Sequence, residues 1–525
     1  MYIEFLARKQ QIKHAIVSAV IWGLLAHGYI LFNKISYHDD IFCLYTLGGT
    51  YGSGRWSLGV LGSLAQRLVG GTYSAPALNG IISILIIAIV AAIITVMFQL
   101  EGKIWIWAVS AILETIPVVT ATFAYMFTAP YYMLAMLLAV AAAFFISRQD
   151  KWVDINGVLA IICVAGAMGI YQAYFGVTVS CVLVYLIWNY GSIVQRGTSK
   201  ESFVKLIVYG IRSVLYMGMG IVVYALENKF FLFITHYELS DYRGVNTMFD
   251  VTPKALFISA VGTYKSFGQM FLNDYVGLTS VFPIRLALWI LWLVTLGCLI
   301  KMTVRYRKKV LCNIAWWIMI LLLPMTFHIV NIMVSGGDTE VHTLMLYSVV
   351  MMYIFPVAII SREMREAGIA NEVVKKGLKV CSVLAIYVVI FIYAVVDNQA
   401  YMRVELLQNQ AKAFYNRLIE RIENVDGYEA TDTIYIVGIL EADTSSLTDI
   451  PQFPAVSMTG YTMSTNDFIN DYAWKEYVRW QLGTNFVYET QTPDEEMIRK
   501  MKCYPDDGSI QRIDGTVVVK FSDEK

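Results

Sequence analysis

The chain has 525 residues, equal numbers of basic and acidic side chains, and a mean hydropathy of +0.57. It is 57% hydrophobic and only 15% charged, against about 45–50% and about 25% for a soluble globular chain. The formal net charge of +0 gives no basic surface excess for a nucleic-acid partner, and repeated apolar runs of about 20 residues predict a mainly α-helical, polytopic membrane protein.

In chain order, eleven spans are predicted, near 14–33, 76–98, 104–126, 130–147, 155–171, 173–190, 204–226, 284–303, 311–332, 343–360 and 378–396. Each approaches the length that crosses the hydrocarbon core. The first apolar run, 15–32, is longer than a signal-peptide core and reads as a retained span. The fifth and sixth spans form one apolar run interrupted only at Tyr171-Gln172. Reading them as two keeps the charge pattern consistent. With the N-terminus inside, Arg305, Arg307, Lys308, Lys309, Arg362, Arg365, Lys375, Lys376 and Lys379 all fall in inner segments, and the outer loops hold fewer cations. A single helix there would put the Arg305–Lys309 cluster outside.

Three outer segments stand out. Segment 34–75 is glycine-rich from Gly48 to Gly54, and then Leu58, Leu61, Ala65 and Leu68 recur at three- and four-residue steps, which predicts an interfacial helix over 56–68. Segment 227–283 reads as a long loop, and 335–342 as a short one. After about 397 the composition becomes that of a soluble domain. A helix over 403–425, strands over 433–440, 485–488 and 516–521, a helix near 493–503, and a loop at Pro451 and Pro454 predict a small exterior α/β domain, 397–525, following a membrane domain, 1–396.

The seven cysteines are scattered and form no CxxC or zinc spacing, so no metal site is expected. There is no GxxxxGK[ST], no strand–GxGxxG–helix and no HExxH. A nucleotide cradle and a cofactor are therefore not expected.

The chemistry is expected in the first outer segment, where Asp39 and Asp40 follow a span directly. An acid there reads as a helix cap or as a general base taking a proton from an acceptor hydroxyl. Adjacent side chains point differently, so one is expected to act as base, with a lean to Asp40, and the other to support it. A departing phosphate needs cations nearby. Arg55, Lys265 and His342 are the candidates, with Arg55 favoured because its fork matches phosphate oxygens. His38, Trp56, Tyr171 and Gln172 are candidate substrate contacts, and Glu114 is a mid-span acid of the kind that is functional or paired. His328 reads as a core histidine.

Asn33-Lys34-Ile35-Ser36-Tyr37-His38-Asp39-Asp40 followed by Gly54-Arg55-Trp56 resembles the first external loop of the GtrII-type glucosyltransferases, multispanning bacterial enzymes of GT-C architecture. Gly169-Ile170-Tyr171-Gln172-Ala173-Tyr174 is similar more loosely, and the resemblance covers roughly the first 400 residues. It implies transfer of glucose from an undecaprenyl-phosphate carrier to a surface glycan at the outer face of the cytoplasmic membrane, without a cofactor and with inversion. An acid at Asp39 or Asp40 would be the base. Related loops carry an arginine where this chain has His342. A flippase for a lipid-linked glycan, expected to show internal repeats, and a cell-envelope scaffold are the competing readings.

Overall fold

A computed structural model describes residues 2–33, 38–42, 50–70, 75–195, 197–240, 252–334, 341–366, 372–441, 448 and 464–523. Positions 34–37, Gly48 and Gly49, most of the 335–342 loop, and Pro451 and Pro454 lie outside the described residues. The chain divides into two compact units. One comprises Met1–Phe32 and Thr46–Asn398, the other Asn33–Tyr45, Gln399–Ala455 and Tyr461–Lys525.

The chain opens with α1 (Tyr2–Ala7) and α2 (Lys9–Phe32); α3 (Asp39–Phe42), a single turn, belongs to the second unit. The first unit continues with α4 (Trp56–Val69), α5 (Pro76–Met97), α6 (Lys103–Thr115), α7 (Pro117–Phe123), α8 (Ala129–Ile146), α9 (Ile155–Ile170), α10 (Phe175–Val194) and α11 (Ser199–Thr235). Then come α12 (Pro253–Leu272), α13 (Phe282–Arg305), α14 (Val310–Leu321), α15 (Leu323–Phe327), α16 (Val330–Met333) and α17 (Met351–Arg365). The boundary between the units falls inside α18 (Glu372–Glu423).

Among the described residues, ten helical stretches are long and apolar enough to cross a membrane, and α9 is a shorter apolar helix. Together they overlap every predicted span. The fifth and sixth spans are separate helices because Tyr171 is extended (φ −158°, ψ 115°), and one 3-10 turn, Gln172–Tyr174, leads into α10. Pro117 divides the third span in the same way: Ile116 before it is extended, and the proline opens α7. On α2, the buried side is built from Ala15, Ala19, Gly23 and Ala26. Small residues let α5 and α6 approach closely. A Cβ on Gly23 would lie 2.8 Å from Ile84 and 2.9 Å from a Glu114 carboxyl oxygen. Elsewhere in this unit, buried Glu363 of α17 takes Lys301 at 3.1 Å and Arg305 at 2.9 Å, both from α13.

One reading changes. The described residues of segment 227–283 are largely helical: α11 runs on to Thr235, and α12 starts where the Thr252 side chain accepts from the Ala255 N–H and Pro253 takes the first turn. Its apolar periodicity was hidden because α12 buries Thr263 and Ser266 while exposing Phe257, Ile258 and Val261. The predicted helix over 56–68 forms as α4 and packs on α9. Leu58, Gly59 and Gly62 are its buried residues, and Leu68 is exposed. The glycines permit an approach that leucines would block: a Cβ on Gly59 would meet Thr50 and Tyr51 at 2.7 Å.

The second unit is an α/β fold around a four-stranded sheet of β1 (Thr433–Val437), β2 (Val487–Tyr488), β3 (Ile510–Ile513) and β4 (Thr516–Lys520), ordered β2-β1-β4-β3. β1 runs parallel to β2 and β4, and β3 pairs antiparallel with β4 across a two-residue Asp514-Gly515 turn with φ of 48° and 80°. β3 was not expected, because Gln511 and Arg512 break its apolar pattern. The other helices are α19 (Thr465–Ile469), α20 (Trp474–Gln481) and α21 (Glu495–Lys500). The end of α18 supplies Leu407, Ala411, Phe414, Leu418 and Ile422, a buried stripe at three- and four-residue steps.

Candidate active site

In the second unit, α20 packs against the single turn α3 that carries the acid pair. His38 precedes that turn in the left-handed region (φ 55°), a conformation that costs a non-glycine residue energy and clusters at functional sites. Its Nδ1 lies 2.6 Å from Asp471 Oδ2. Its Nε2 lies 3.9 Å from Asp39 Oδ1. The Tyr472 hydroxyl donates to that same Asp39 oxygen, and the Tyr472 ring meets the His38 ring edge-on at 4.7 Å. The two acids are unequal. The Asp39 side chain is 42% exposed, whereas Asp40, expected at the surface, is only 1% exposed.

In the first unit, Arg55 sits at the start of α4 with its guanidinium 4.5 Å from the Tyr171 ring centroid, donating to the Tyr132 hydroxyl at 3.2 Å. Tyr132 and Tyr171 stack at 4.8 Å with planes 10° apart. Gln172 fixes the turn before Arg55: its amide donates to the Ser53 carbonyl at 2.9 Å and to the Tyr224 hydroxyl at 3.0 Å, and that hydroxyl donates to the Gly54 carbonyl at 3.1 Å. Gly54 itself needs the left-handed region (φ 72°). Trp56 stacks on Phe231 at 4.7 Å and rests on Gly169. Thus Arg55, Trp56, Tyr171 and Gln172 form one cluster, built from the α4 start, the α9–α10 break, α8 and α11.

The family model for glucosyl transferase GtrII matches residues 28–355. The chain belongs to the GtrII glucosyltransferase family. The match spans more than half the chain and includes the acid pair and the Arg55 cluster; it ends within α17, so all of the second unit except the α3 segment lies beyond it. No curated protein and no solved structure matches the chain. Family membership makes it a glycosyltransferase, and its apolar helices suit a membrane protein.

The remaining candidates of this GtrII-family protein are dispersed. Glu114 is fully buried on α6, beside Gly23 of α2, and neither carboxyl oxygen has a hydrogen-bond partner among the described residues. His342 is buried just before the turn Thr343–Met345, which packs on α7. Lys265 is exposed on α12. Two residues further along α12 begins a wholly apolar groove of about 350 Å³, lined by Phe267, Phe271, Trp289, Trp292 and Trp317 among others. His328 is buried, edge-on to Tyr275 at 5.1 Å. Sequence reasoning missed Tyr132, Tyr224, Asp471 and Tyr472. None sits in a motif, and only the fold brings Tyr132 to Arg55 or Asp471 to His38.

Proposed function

We propose that this GtrII-family protein transfers a hexose, glucose by the family's name, from a polyprenyl-phosphate carrier to a cell-surface glycan at the outer face of a bacterial cytoplasmic membrane. The observation that carries this reading is the family match over a segment that holds both an exposed carboxylate and an arginine preorganised by aromatic rings. The acceptor hydroxyl attacks the anomeric carbon and gives its proton to Asp39, and the bond from that carbon to the phosphate oxygen breaks. The polyprenyl phosphate leaves as an anion, and a single displacement inverts the anomeric centre. Asp39 takes the role of base in preference to Asp40, because a base must reach the hydroxyl it deprotonates. Arg55 meets the leaving phosphate, with Lys265 and His342 as further cationic candidates, and His38, Trp56, Tyr171, Gln172 and Glu114 serve the sugar or its surroundings. The apolar groove beside Lys265 suits the carrier chain. The lysine and arginine asymmetry supports a cytoplasmic N-terminus, with residues 397–525 as an exterior domain after the membrane domain 1–396. Family membership favours transfer over the flippase and scaffold readings.

The test is Asp39→Asn in the purified full-length protein, assayed for transfer of radiolabelled glucose from polyprenyl phosphate to membrane glycan. Turnover should fall on the order of 10²–10⁴-fold, the usual contribution of a positioned acid or base. Wild-type turnover in both Asp39→Asn and Asp40→Asn would end the proposed mechanism.

A further inference from the structure

Tyr472, which donates to Asp39, and Asp471, which contacts His38, come from a part of the chain that the family match does not reach. We propose that Asp471 and Tyr472 are positioning residues that act on Asp39, Asp471 through the His38 ring and Tyr472 directly. This rests on the transferase reading and on Asp39 as its base.

Three observations carry it. First, Tyr472 and His38 meet Asp39 at the same oxygen: Tyr472 donates to Oδ1, and His38 Nε2 lies 3.9 Å from it. That arrangement directs Oδ2 to the acceptor hydroxyl. Second, the His38 ring is itself oriented. Its Nδ1 shares a short 2.6 Å contact with Asp471, whose other oxygen accepts from the Ala473 N–H at 3.0 Å. A hydrogen bond at one imidazole nitrogen decides what the other presents, so Asp471 sets the face that His38 turns to Asp39. Third, the Tyr472–Asp39 pair does little for the fold. Tyr472 is 52% exposed and the Asp39 side chain 42%, and an exposed polar pair exchanges freely with water and adds little stability. The left-handed backbone at His38 is an energetic cost borne at the same place.

Tyr472→Phe keeps the ring against His38 and removes only the donor. Asp471→Asn keeps the shape and removes the charge. In the transfer assay with radiolabelled glucosyl polyprenyl phosphate, each substitution should lower kcat by about tenfold or more, the lower end of the scale of one lost hydrogen bond to a charged group, and leave the donor KM unchanged. In an Asp39→Asn background, neither should lower kcat further, because residues acting as a unit are not additive. An unchanged kcat in both single variants, or a loss repeated in full on top of Asp39→Asn, overturns the proposal; the second result would mark a merely structural role. Those outcomes with Asp39→Asn impaired leave the transferase reading standing. Wild-type turnover in Asp39→Asn removes Asp39 as the base and this proposal with it, while transfer itself still stands.

Discussion

Replacing Arg55 by lysine keeps the charge and removes the planar fork. The guanidinium is held before any ligand arrives by contacts that include the Tyr132 hydroxyl at 3.2 Å and the Tyr171 face at 4.5 Å. An ammonium cannot lie flat on Tyr171 while offering two parallel donors to a phosphate. The variant therefore forfeits about one charge-assisted hydrogen bond, about 1.5–3 kcal/mol. With tenfold for each ~1.4 kcal/mol, the donor KM should rise about ten- to 150-fold. Tyr132→Phe leaves the fork intact and removes only the acceptor that steadies it. Its smaller loss, about 0.5–1.5 kcal/mol for an ordinary hydrogen bond, corresponds to a roughly two- to twelvefold effect. The assay is transfer from a polyprenyl-phosphate donor over a range of donor concentrations, with protein amounts matched. A donor KM unchanged in Arg55→Lys would refute the phosphate role and leave Arg55 as a clamp between α4 and the α9–α10 break. A larger effect from Tyr132→Phe than from Arg55→Lys would refute the ordering of the two terms.

Two further predictions concern stability. Gly169→Ala should destabilise the first unit by about 1–3 kcal/mol, the usual cost of overpacking, because the new Cβ would sit 2.7 Å from Trp56 Cε2 and 3.0 Å from Ser57 Cβ, and Trp56 is stacked on Phe231. A thermal unfolding midpoint equal to wild type in detergent would show that the ring yields freely. In the second unit, Arg512 binds Asp432 through Nε at 2.7 Å and a terminal nitrogen at 2.8 Å, and with the Glu429 N–H it holds the Asp432 carboxyl below the ordinary carboxylate range. A depressed carboxyl contributes stability that is complete above its unfolded value, about 3.9, and is lost as pH falls through the lower folded value. Proteolytic resistance of the second unit should therefore be flat from pH 8 to about pH 5 and decline below about pH 4, with a shallower decline in Asp432→Asn; an identical acid limb in that variant would exclude the pair as its cause.

Much of the architecture is written locally. Apolar runs that exceed the bilayer thickness can only be buried or cross, so the spans were legible from composition and length. The break at Tyr171-Gln172 was legible because a span cannot place the Arg305–Lys309 cluster on the wrong side without cost. The acid pair and Arg55 were legible as residue types at a membrane-flanking position, and the family match covers both. What periodicity could not reveal was any face built from small or polar residues. The glycines of α4 and the threonine and serine of α12 pack inward because close approach and hydrogen bonding reward them there, and no hydrophobic stripe announces it. Exposure of the two acids was equally hidden. Asp39 and Asp40 are chemically identical neighbours, and only the folded chain leaves one open and covers the other. The partners of His38 and Asp39 are separated from them by 433 positions in the chain. Residue type and spacing fix which groups can do chemistry. Which of them meet, and which oxygen is left facing outward, depends on contacts distant in sequence that only the folded chain makes.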